Sequence, residues 1–420
     1  MKKITVAVLG LGNRGRAYTS HMLDCPEQFD IVAIADISPD SVKLMQSLYG
    51  LENAQTYTDL DAFFAEKRAD AIIISTPDRQ HVPQAVRALR LGYDVLLEKP
   101  ISDSREEIDL LLKTQRETGG KVLVCHVLRY GPAYRKLDEL LESGVIGRLY
   151  AIDASERVRY WHMAQAYVRG IAGTLENAHP TILAKCCHDL DLIQHYAGSQ
   201  CDTVSSIGGL EFFIPENAPE GATKRCVDCP HKDTCPYSAK RIYVDDWHAA
   251  GEPAHQFPFY RAANVNPITE EALYEGLRTG PFGRCAFYCD STNVDHQLVQ
   301  MTFQNKVKAS LKMVYGALPG RRISFYGTHG EIVLEEREKT ITLMPYGGKE
   351  QVFDVRAAST AAKGHGGGDL GLVKTLYSML TGETKQVTSL EESLESHLMG
   401  IAAEESRKAD GKLVKVHQVL

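Results

Sequence analysis

The chain has 420 residues, 44% of them hydrophobic and 24% charged, with a formal net charge of −7. That length allows two domains with sizeable cores, and the ordinary composition excludes disordered, fibrous and repeat classes. The acidic balance offers no basic footprint for nucleic acid, and no apolar run approaches the roughly 18 residues of a membrane span.

The first apolar run, Ile4 to Leu9, reads as a strand buried on both faces. Gly10, Gly12 and Gly15 follow as G-x-G-x-x-G, with Asn13 and Arg14 between them, and Asn13 to Met22 reads as a helix. Gly10 permits the tight turn, Gly12 lets the backbone approach a pyrophosphate, and Gly15 allows close helix–strand packing. The second run, Phe29 to Ala35, ends in Asp36, where an acid binds a ribose hydroxyl. Strand, helix, strand and acid in this register predict dinucleotide binding. Asp36 repels a 2′-phosphate, Ile37 and Ser38 bring no cation, and Lys43 lies a turn into the next helix. NAD is therefore preferred to NADP. Further strands are predicted at Ala71–Ser75, Asp94–Leu97 and Val122–Cys125, and helices at Pro39–Tyr49, His81–Leu91 and Ser104–Thr118. The alternation predicts an α/β, doubly wound parallel sheet over residues 1–128. Ligands bind at the carboxyl ends of such strands. Ser75, Thr76, Pro77 and Asp78 with His81 fall there, as do Glu98, Lys99 and Pro100, and His126 with Arg129 and Tyr130. Ser75, Thr76, Pro77, His81, Glu98 and Lys99 are the candidate cofactor residues of this set.

Beyond Tyr130 the pattern changes. Residues 159–169 read Arg-Tyr-Trp-His-Met-Ala-Gln-Ala-Tyr-Val-Arg. Aromatic faces suit the apolar faces of sugar rings, and the polar groups suit hydroxyls or a carboxylate. The alternative is a packed strand and loop. Candidate substrate residues are Tyr160, Trp161, His162 and Arg169, with Arg129 and Lys185; the arginines, Arg159 included, lean toward an acidic sugar. His188, Asp191 and His195 share one helical face. Residues of about 202–292 are rich in Pro, Gly, Cys and aromatics and read as an insertion. Within it, Cys226-x-x-Cys229 and Cys235 either begin a structural zinc site, completed by Cys285, Cys289 or His231, or are thiols without metal. Val299, Met301 and Phe303, then Val307, Ala309, Leu311 and Met313, alternate with polar residues across an Asn305-Lys306 turn, an antiparallel hairpin. Strands follow at Arg322–Tyr326, Glu331–Leu334 and Thr340–Met344. Residues 129–420 thus read as an α+β unit around a largely antiparallel sheet. Gly364 to Asp369 is either a loop closing over the site or a helix entry capped by Asp369. Ser389 to Glu392 is a capping box opening a helix through Arg407. The start, MKK and then strand, leaves no room for a secretory signal, so the ten cysteines are expected in a reducing cytosol.

With Glu98-Lys99-Pro100 at a strand end, the chain resembles the Gfo/Idh/MocA oxidoreductases (glucose–fructose oxidoreductase, inositol dehydrogenase) over nearly its whole length. The motifs are Gly10-Leu11-Gly12-Asn13-Arg14-Gly15, Thr76-Pro77-Asp78 with His81, Glu98-Lys99-Pro100, Arg129-Tyr130-Gly131-Pro132, and His188 with Asp191. The resemblance implies an N-terminal Rossmann domain and a second domain whose sheet forms a homodimer or homotetramer interface. It implies that Lys99 and His188 act on a sugar or cyclitol hydroxyl. The family's D-x-G-x-H-x-x-D is broken here: Ala184 stands four residues before His188. Lys185 or Asp189 replaces that acid, or its function is absent. The runs Tyr160-Trp161-His162, Lys185-Cys186-Cys187-His188-Asp189 and Cys235-Pro236-Tyr237-Ser238-Ala239 are similar to those of one subgroup.

Hydride transfer from a secondary alcohol needs a base for the hydroxyl proton. A free lysine titrates near 10.4. Burial and the pyridinium of NAD⁺ would lower Lys99 toward that task. Asp191 orients His188 or substrate, and no metal is needed on that face. The expected function is an NAD-dependent oxidoreductase acting on a ring hydroxyl of a sugar, sugar derivative or cyclitol. One alternative is a redox-neutral NAD-dependent glycosidase working by oxidation, elimination, hydration and re-reduction. A second is a non-catalytic sensor, against which Glu98-Lys99-Pro100 and His188 argue.

Overall fold

The computed structural model describes residues 3–356, 365–383 and 388–417. Six parallel strands form the first sheet: β1 Ile4–Leu9, β2 Phe29–Ala35, β3 Gln55–Tyr57, β4 Ala71–Ile74, β5 Asp94–Leu97 and β6 Val122–Val124. Their order is β3-β2-β1-β4-β5-β6. The direction of winding reverses between β1 and β4, so the crevice at their carboxyl ends is the ligand position of a doubly wound sheet. That reversal sets the Gly10 turn beside the loop that follows β4. Local chemistry ends the helices where the sequence predicts. Ser38 Oγ accepts the Ser41 N–H, Ser104 Oγ accepts the Glu107 N–H, and left-handed Gly50 and Gly119 close the two helices. Strand β3 is absent from the sequence reading; three half-exposed edge residues carry no readable period.

The second sheet has nine strands: β7 Leu149–Arg159, β8 Cys201–Gly209, β9 His296–Phe303, β10 Lys308–Gly316, β11 Gly320–Gly327, β12 Gly330–Glu335, β13 Thr340–Pro345, β14 Gln351–Asp354 and β15 Val414–Lys415. The order is β14-β13-β12-β11-β7-β10-β9-β8-β15. Only β10 with β7 is parallel among these pairings. Val299 faces Leu311 and Met301 faces Ala309, the register the hairpin alternation demands. Two strands correct the sequence reading. The central strand β7 buries Ile152, Ala154, Glu156 and Val158, and a buried glutamate hides its alternation. Strand β8 claims the first residues assigned to the insertion, which therefore begins at residue 210. Residues 160–169 are helical, ending in a π-helix over Met163–Arg169, rather than strand and loop.

The chain does not divide cleanly at residue 128. The helix Gly368–Thr381 returns to the first sheet, where Leu372, Leu376 and Tyr377 share a core with Ile4, Val6, Tyr18 and Met22. Gly364 lies outside the described residues, and His365–Gly367 form a 3-10 turn leading into that helix. Among the described residues no helix is long and apolar enough to cross a membrane. The cysteines are free thiols.

Candidate active site

The cofactor cradle is built largely from main chain. Gly10 has φ +87°, and a Cβ there would lie 2.6 Å from the Ser75 carbonyl. A Cβ on Gly15 would lie 2.1 Å from the Gly10 oxygen, so neither position accepts a side chain. Ser75 Oγ donates to that same oxygen at 2.7 Å. A Cβ on Gly12 would meet nothing within 4 Å. Open ground therefore lies over the N-terminus of the helix Asn13–Leu23, where free N–H groups attract a pyrophosphate. Asn13 and Pro77 stand exposed at the rim. Asp36 Oδ2 accepts the Leu11 N–H at 2.8 Å and Oδ1 the Ser38 N–H at 2.9 Å. Each oxygen keeps a lone pair for a ribose hydroxyl. These residues fit a dinucleotide.

Several of the candidate cofactor side chains brace the cradle. Arg14 turns inward: Nε reaches Glu98 at 2.7 Å and the two Nη atoms reach Asp369 at 2.7 and 3.2 Å. Glu98, only 4% exposed, also accepts from the Tyr18 hydroxyl and the Lys99 N–H. Burial opposes its charge, but Arg14 and Lys99 outweigh burial and hold the carboxyl below its ordinary range. Asp369 is thus the partner of Arg14 rather than a helix cap. His81 is buried between the Thr76 and Pro100 carbonyls at 2.9 and 2.7 Å, and Thr76 Oγ1 donates to Gln84. These contacts lock the loops around the crevice and leave its main-chain groups for the ligand.

Lys99 follows β5 at the carboxyl edge. Its Nζ donates to the Ala184 carbonyl at 3.0 Å, across to the short helix Thr181–Ala184. Where the family pattern has an acid, the lysine takes a main-chain oxygen. Burial pulls Lys99 down, but Cys187, Glu98 and Asp78 outweigh it and raise the group above its ordinary value. This reverses the lowering expected from sequence: in the protein alone Lys99 is a firm ammonium. His188 opens the helix Cys187–Ala197 and lies edge-on to His126, ring centroids 5.9 Å apart. Asp191, one turn on, is gripped by Arg129 Nε and Nη2 at 2.8 and 2.7 Å. Burial opposes that carboxylate too, yet Arg129 and His126 hold it below its ordinary range. Arg129 Nη1 reaches His195, which meets Asp138. Arg129 and Asp191 are thus buried counterions, each compensating the other's charge.

The candidate substrate wall comes from β7, β11 and the helix ends. Register places Glu156 directly opposite Arg321, and they pair at 2.8 Å. Arg321 Nε also meets Asp189 at 2.8 Å, and Lys185 Nζ meets Glu156 at 3.2 Å. Burial, with Glu156 nearby, holds Asp189 above its ordinary value despite Arg321. A cleft of about 260 Å³ opens here, lined by Glu156, Arg159, Trp161, His162, Lys185 and Arg321. Burial, then Lys185 and Lys99, push His162 down to about 4 against Glu156, so its ring is neutral and shares the field of both lysines. Tyr160 faces Tyr237 of the insertion. Arg169 is not on this wall. It is 1% exposed and donates to the Arg284 and Tyr237 carbonyls, both at 2.6 Å, holding the insertion in place. The sequence reading missed Glu156 and Arg321. The detectable signal was a glutamate at an inward position of a strand.

The insertion has its own packing. Phe212, Phe213, Tyr237 and Phe287 continue the core of Val158, Met163 and Tyr167. A helical lobe packs Tyr243, Trp247, Phe259, Leu273, Leu277 and Phe282 together. Among the described residues no three His, Cys, Asp or Glu side chains are arranged to hold a metal ion. Of the two readings of Cys226, Cys229 and Cys235, zinc site or thiols without metal, the arrangement does not show the first. Cys226 Sγ faces the Arg169 guanidinium at 3.5 Å, a cation where a second cation is repelled.

A dinucleotide-type parallel sheet, joined to an α/β unit with an ammonium and a histidine at their meeting, defines a Rossmann-type oxidoreductase. The chain belongs to the Gfo/Idh/MocA oxidoreductase family: residues 4–126 match its NAD-binding Rossmann fold and residues 138–416 its C-terminal alpha/beta domain. It is 23% identical over 387 residues to the putative oxidoreductase YteT of Bacillus subtilis (strain 168), covering 87% of each chain. It is 27% identical over 221 residues to the 2,7-anhydro-N-acetylneuraminate hydratase of Mediterraneibacter gnavus, 50% of this chain and 53% of that one. Levoglucosan dehydrogenase, solved with NADH and levoglucosan, shares the fold with TM-score 0.72 at 14% identity, covering 99% of this chain and 100% of that one. The chain is an NAD-binding oxidoreductase of this family.

Proposed function

We propose that the protein moves a hydride between NAD and a ring hydroxyl of a sugar, sugar derivative or cyclitol. The observation that carries this reading is Lys99: its Nζ bridges the two units at 3.0 Å from the Ala184 carbonyl, next in chain to Lys185 and four residues before His188. A bound nicotinamide supplies the hydride donor or acceptor. In reduction the Lys99 ammonium holds the ring oxygen and donates a proton to it; in oxidation Lys99 must first give up that proton before it can accept the hydroxyl's, with His188 as proton partner. His162 and Lys185 orient the ring's other hydroxyls, and Trp161 covers an apolar face. Asp36 supports NAD over NADP, because both its oxygens are already fixed toward the ribose end. The oxidoreductase family and the placed lysine weigh against a sensor. Unpaired cysteines accord with a reducing cytosol. We further assign a homodimer or homotetramer to the open face of the second sheet. There Ile207 and Leu298 pair across β8 and β9, 57% and 39% exposed; Ile207→Glu should lower the sedimenting mass.

One observation favours the second reading, a redox-neutral glycosidase: the insertion touches the cofactor helix, with His255 Nε2 2.8 Å from Arg16 Nη1. An enzyme that re-reduces its own intermediate needs a cofactor that stays. The test incubates enzyme with free sugars, cyclitols and glycosides, following NADH absorbance and aglycone release together. NADH growth on free polyols is expected. Aglycone release without net NADH would replace the first reading by the second.

A further inference from the structure

The insertion reaches the mouth of the glycine turn. Arg16, in the helix Asn13–Leu23, folds back so that Nε donates to the Gly12 carbonyl at 3.3 Å. Its Nη1 meets His255 Nε2 at 2.8 Å. Arginine has no lone pair to offer, so Nε2 accepts and the imidazole proton sits on Nδ1. Tyr260 stacks on His255, centroids 4.6 Å apart and planes 12° from parallel. The Arg16 guanidinium lies over the same Tyr260 ring at 5.2 Å. Between them in sequence, Phe257 stands 5.8 Å from His162 and 6.2 Å from Trp161. Residues 255–260 thus run from the cofactor turn to the substrate wall.

This strap is anchored from behind and loosely satisfied in front. Phe259 is buried in the helical lobe with Trp247, Leu273 and Leu277. At its tip, His255 Nδ1 is shielded from water with no hydrogen-bond partner. The lobe's own core explains its folding, and a buried unpaired donor works against it. The contact with Arg16 therefore calls for another reason. Arg16 supplies one: a cation within 3.3 Å of the Gly12 carbonyl, at a helix N-terminus already suited to phosphate oxygens.

We propose that Arg16, His255 and Tyr260 are cofactor-binding residues, a clasp over the dinucleotide pyrophosphate that slows its release. The inference rests on the dinucleotide reading of the glycine turn. Without the clasp the cofactor would leave by the open ground above Gly12. With it, departure waits for the lobe to lift. The consequence is a slow cofactor off-rate at ordinary ground-state affinity for the sugar.

The experiment uses the full chain. Protein loaded with NADH is mixed with excess NAD⁺, and release is followed by loss of energy transfer from tryptophan to bound NADH. His255→Phe keeps the stack on Tyr260 but removes the acceptor for Arg16. His255→Gln keeps an acceptor. Release from His255→Phe should be about tenfold faster, the scale of one charge-assisted hydrogen bond. Release from His255→Gln should stay near wild type, and both should melt within a few degrees of it. A His255→Phe off-rate equal to wild type overturns the clasp while leaving the dinucleotide reading standing. Failure of the wild type to bind NADH at all overturns both.

Discussion

In the proposed function the glycine turn and the helix Cys187–Ala197 serve the same reaction, and they are built oppositely. At the turn the working groups are main-chain N–H donors, bared because Gly10 and Gly15 admit no Cβ. On the helix the working groups are side chains, and most are already engaged. Asp191 is taken by Arg129, and Asp189 by Arg321. Lys185, just before that helix, lines the cleft, and it too is paired, to Glu156. The difference teaches where function and stability separate. A backbone site is lost only by breaking the fold's geometry. A side-chain site can be emptied of chemistry with its fold intact, or unfolded with its chemistry untouched, depending on which residue is changed.

Breaking the buried pair should give the largest stability effect. Arg129→Met leaves Asp191 as an uncompensated charge that is 1% exposed, costing about 3–5 kcal/mol of unfolding free energy. Urea denaturation reads this directly. An unchanged midpoint with a raised KM would return Arg129 to the substrate wall. Lys99→Met should do the reverse. Its midpoint should stay near wild type, while turnover falls by about 10²–10⁴, the usual worth of a positioned proton carrier. NADH binding by fluorescence should survive. A variant with near-normal kcat removes Lys99 from the chemistry.

The same contrast explains what was legible. A φ-dependent turn must spell itself in glycines, and its acid must follow at the next strand end, so Gly10, Gly12, Gly15 and Asp36 could be read directly. Buried parallel strands announce themselves as apolar runs, and β1, β2 and β5 fall where the runs stand. The candidate substrate wall is assembled from positions 156, 162, 185 and 321; the pairing of β7 with β11 joins 156 to 321, and helix ends bring 162 and 185 to them. No local spacing encodes that. The settings of Arg129 and Arg169 were hidden for a related reason. A sequence shows a charge but not its counterion, and each guanidinium has its acceptors far along the chain. Thiol spacing left zinc and bare thiols both open, and nothing local showed that the guanidinium of Arg169, 57 residues away, faces Cys226.

Sharpening the backbone side of the comparison calls for a smaller change. Asp36→Ser with Ile37→Arg leaves the glycines alone and swaps only the recognition of the ribose. The ratio of NADP to NAD affinity should rise about tenfold or more, as repulsion is removed and a cation added. The two dissociation constants, measured by tryptophan quenching, check it. A wild type that already prefers NADP would break the assignment of Asp36.

The smallest effect tests the seam between the two regions. His397 lies fully buried on the helix Leu390–Lys408, with Nε2 accepting the Ile101 N–H at 2.8 Å. Its Nδ1 donates to the Ser393 carbonyl at 2.8 Å. The neutral ring thus satisfies a donor from the segment just after Lys99 and an acceptor from its own helix. Protonating Nε2 would set two donors against each other. Burial first, and then the nearby His126, push His397 down to about 3. The unfolded chain takes up this proton near pH 6.5, and the native protein does not until far lower. Stability from this group is therefore complete above about pH 6.5 and falls, by at most about 1.4 kcal/mol per pH unit, as pH drops toward the folded value. Unfolding free energies from urea titrations at neutral and mildly acid pH should show that slope. His397→Gln, with one acceptor and one donor on the same amide, should shed about one proton's worth of it. If the slope of the variant matches wild type, acid sensitivity belongs to His126 and His162 instead, both of which also titrate near 4, and the seam at Ile101 is indifferent to pH.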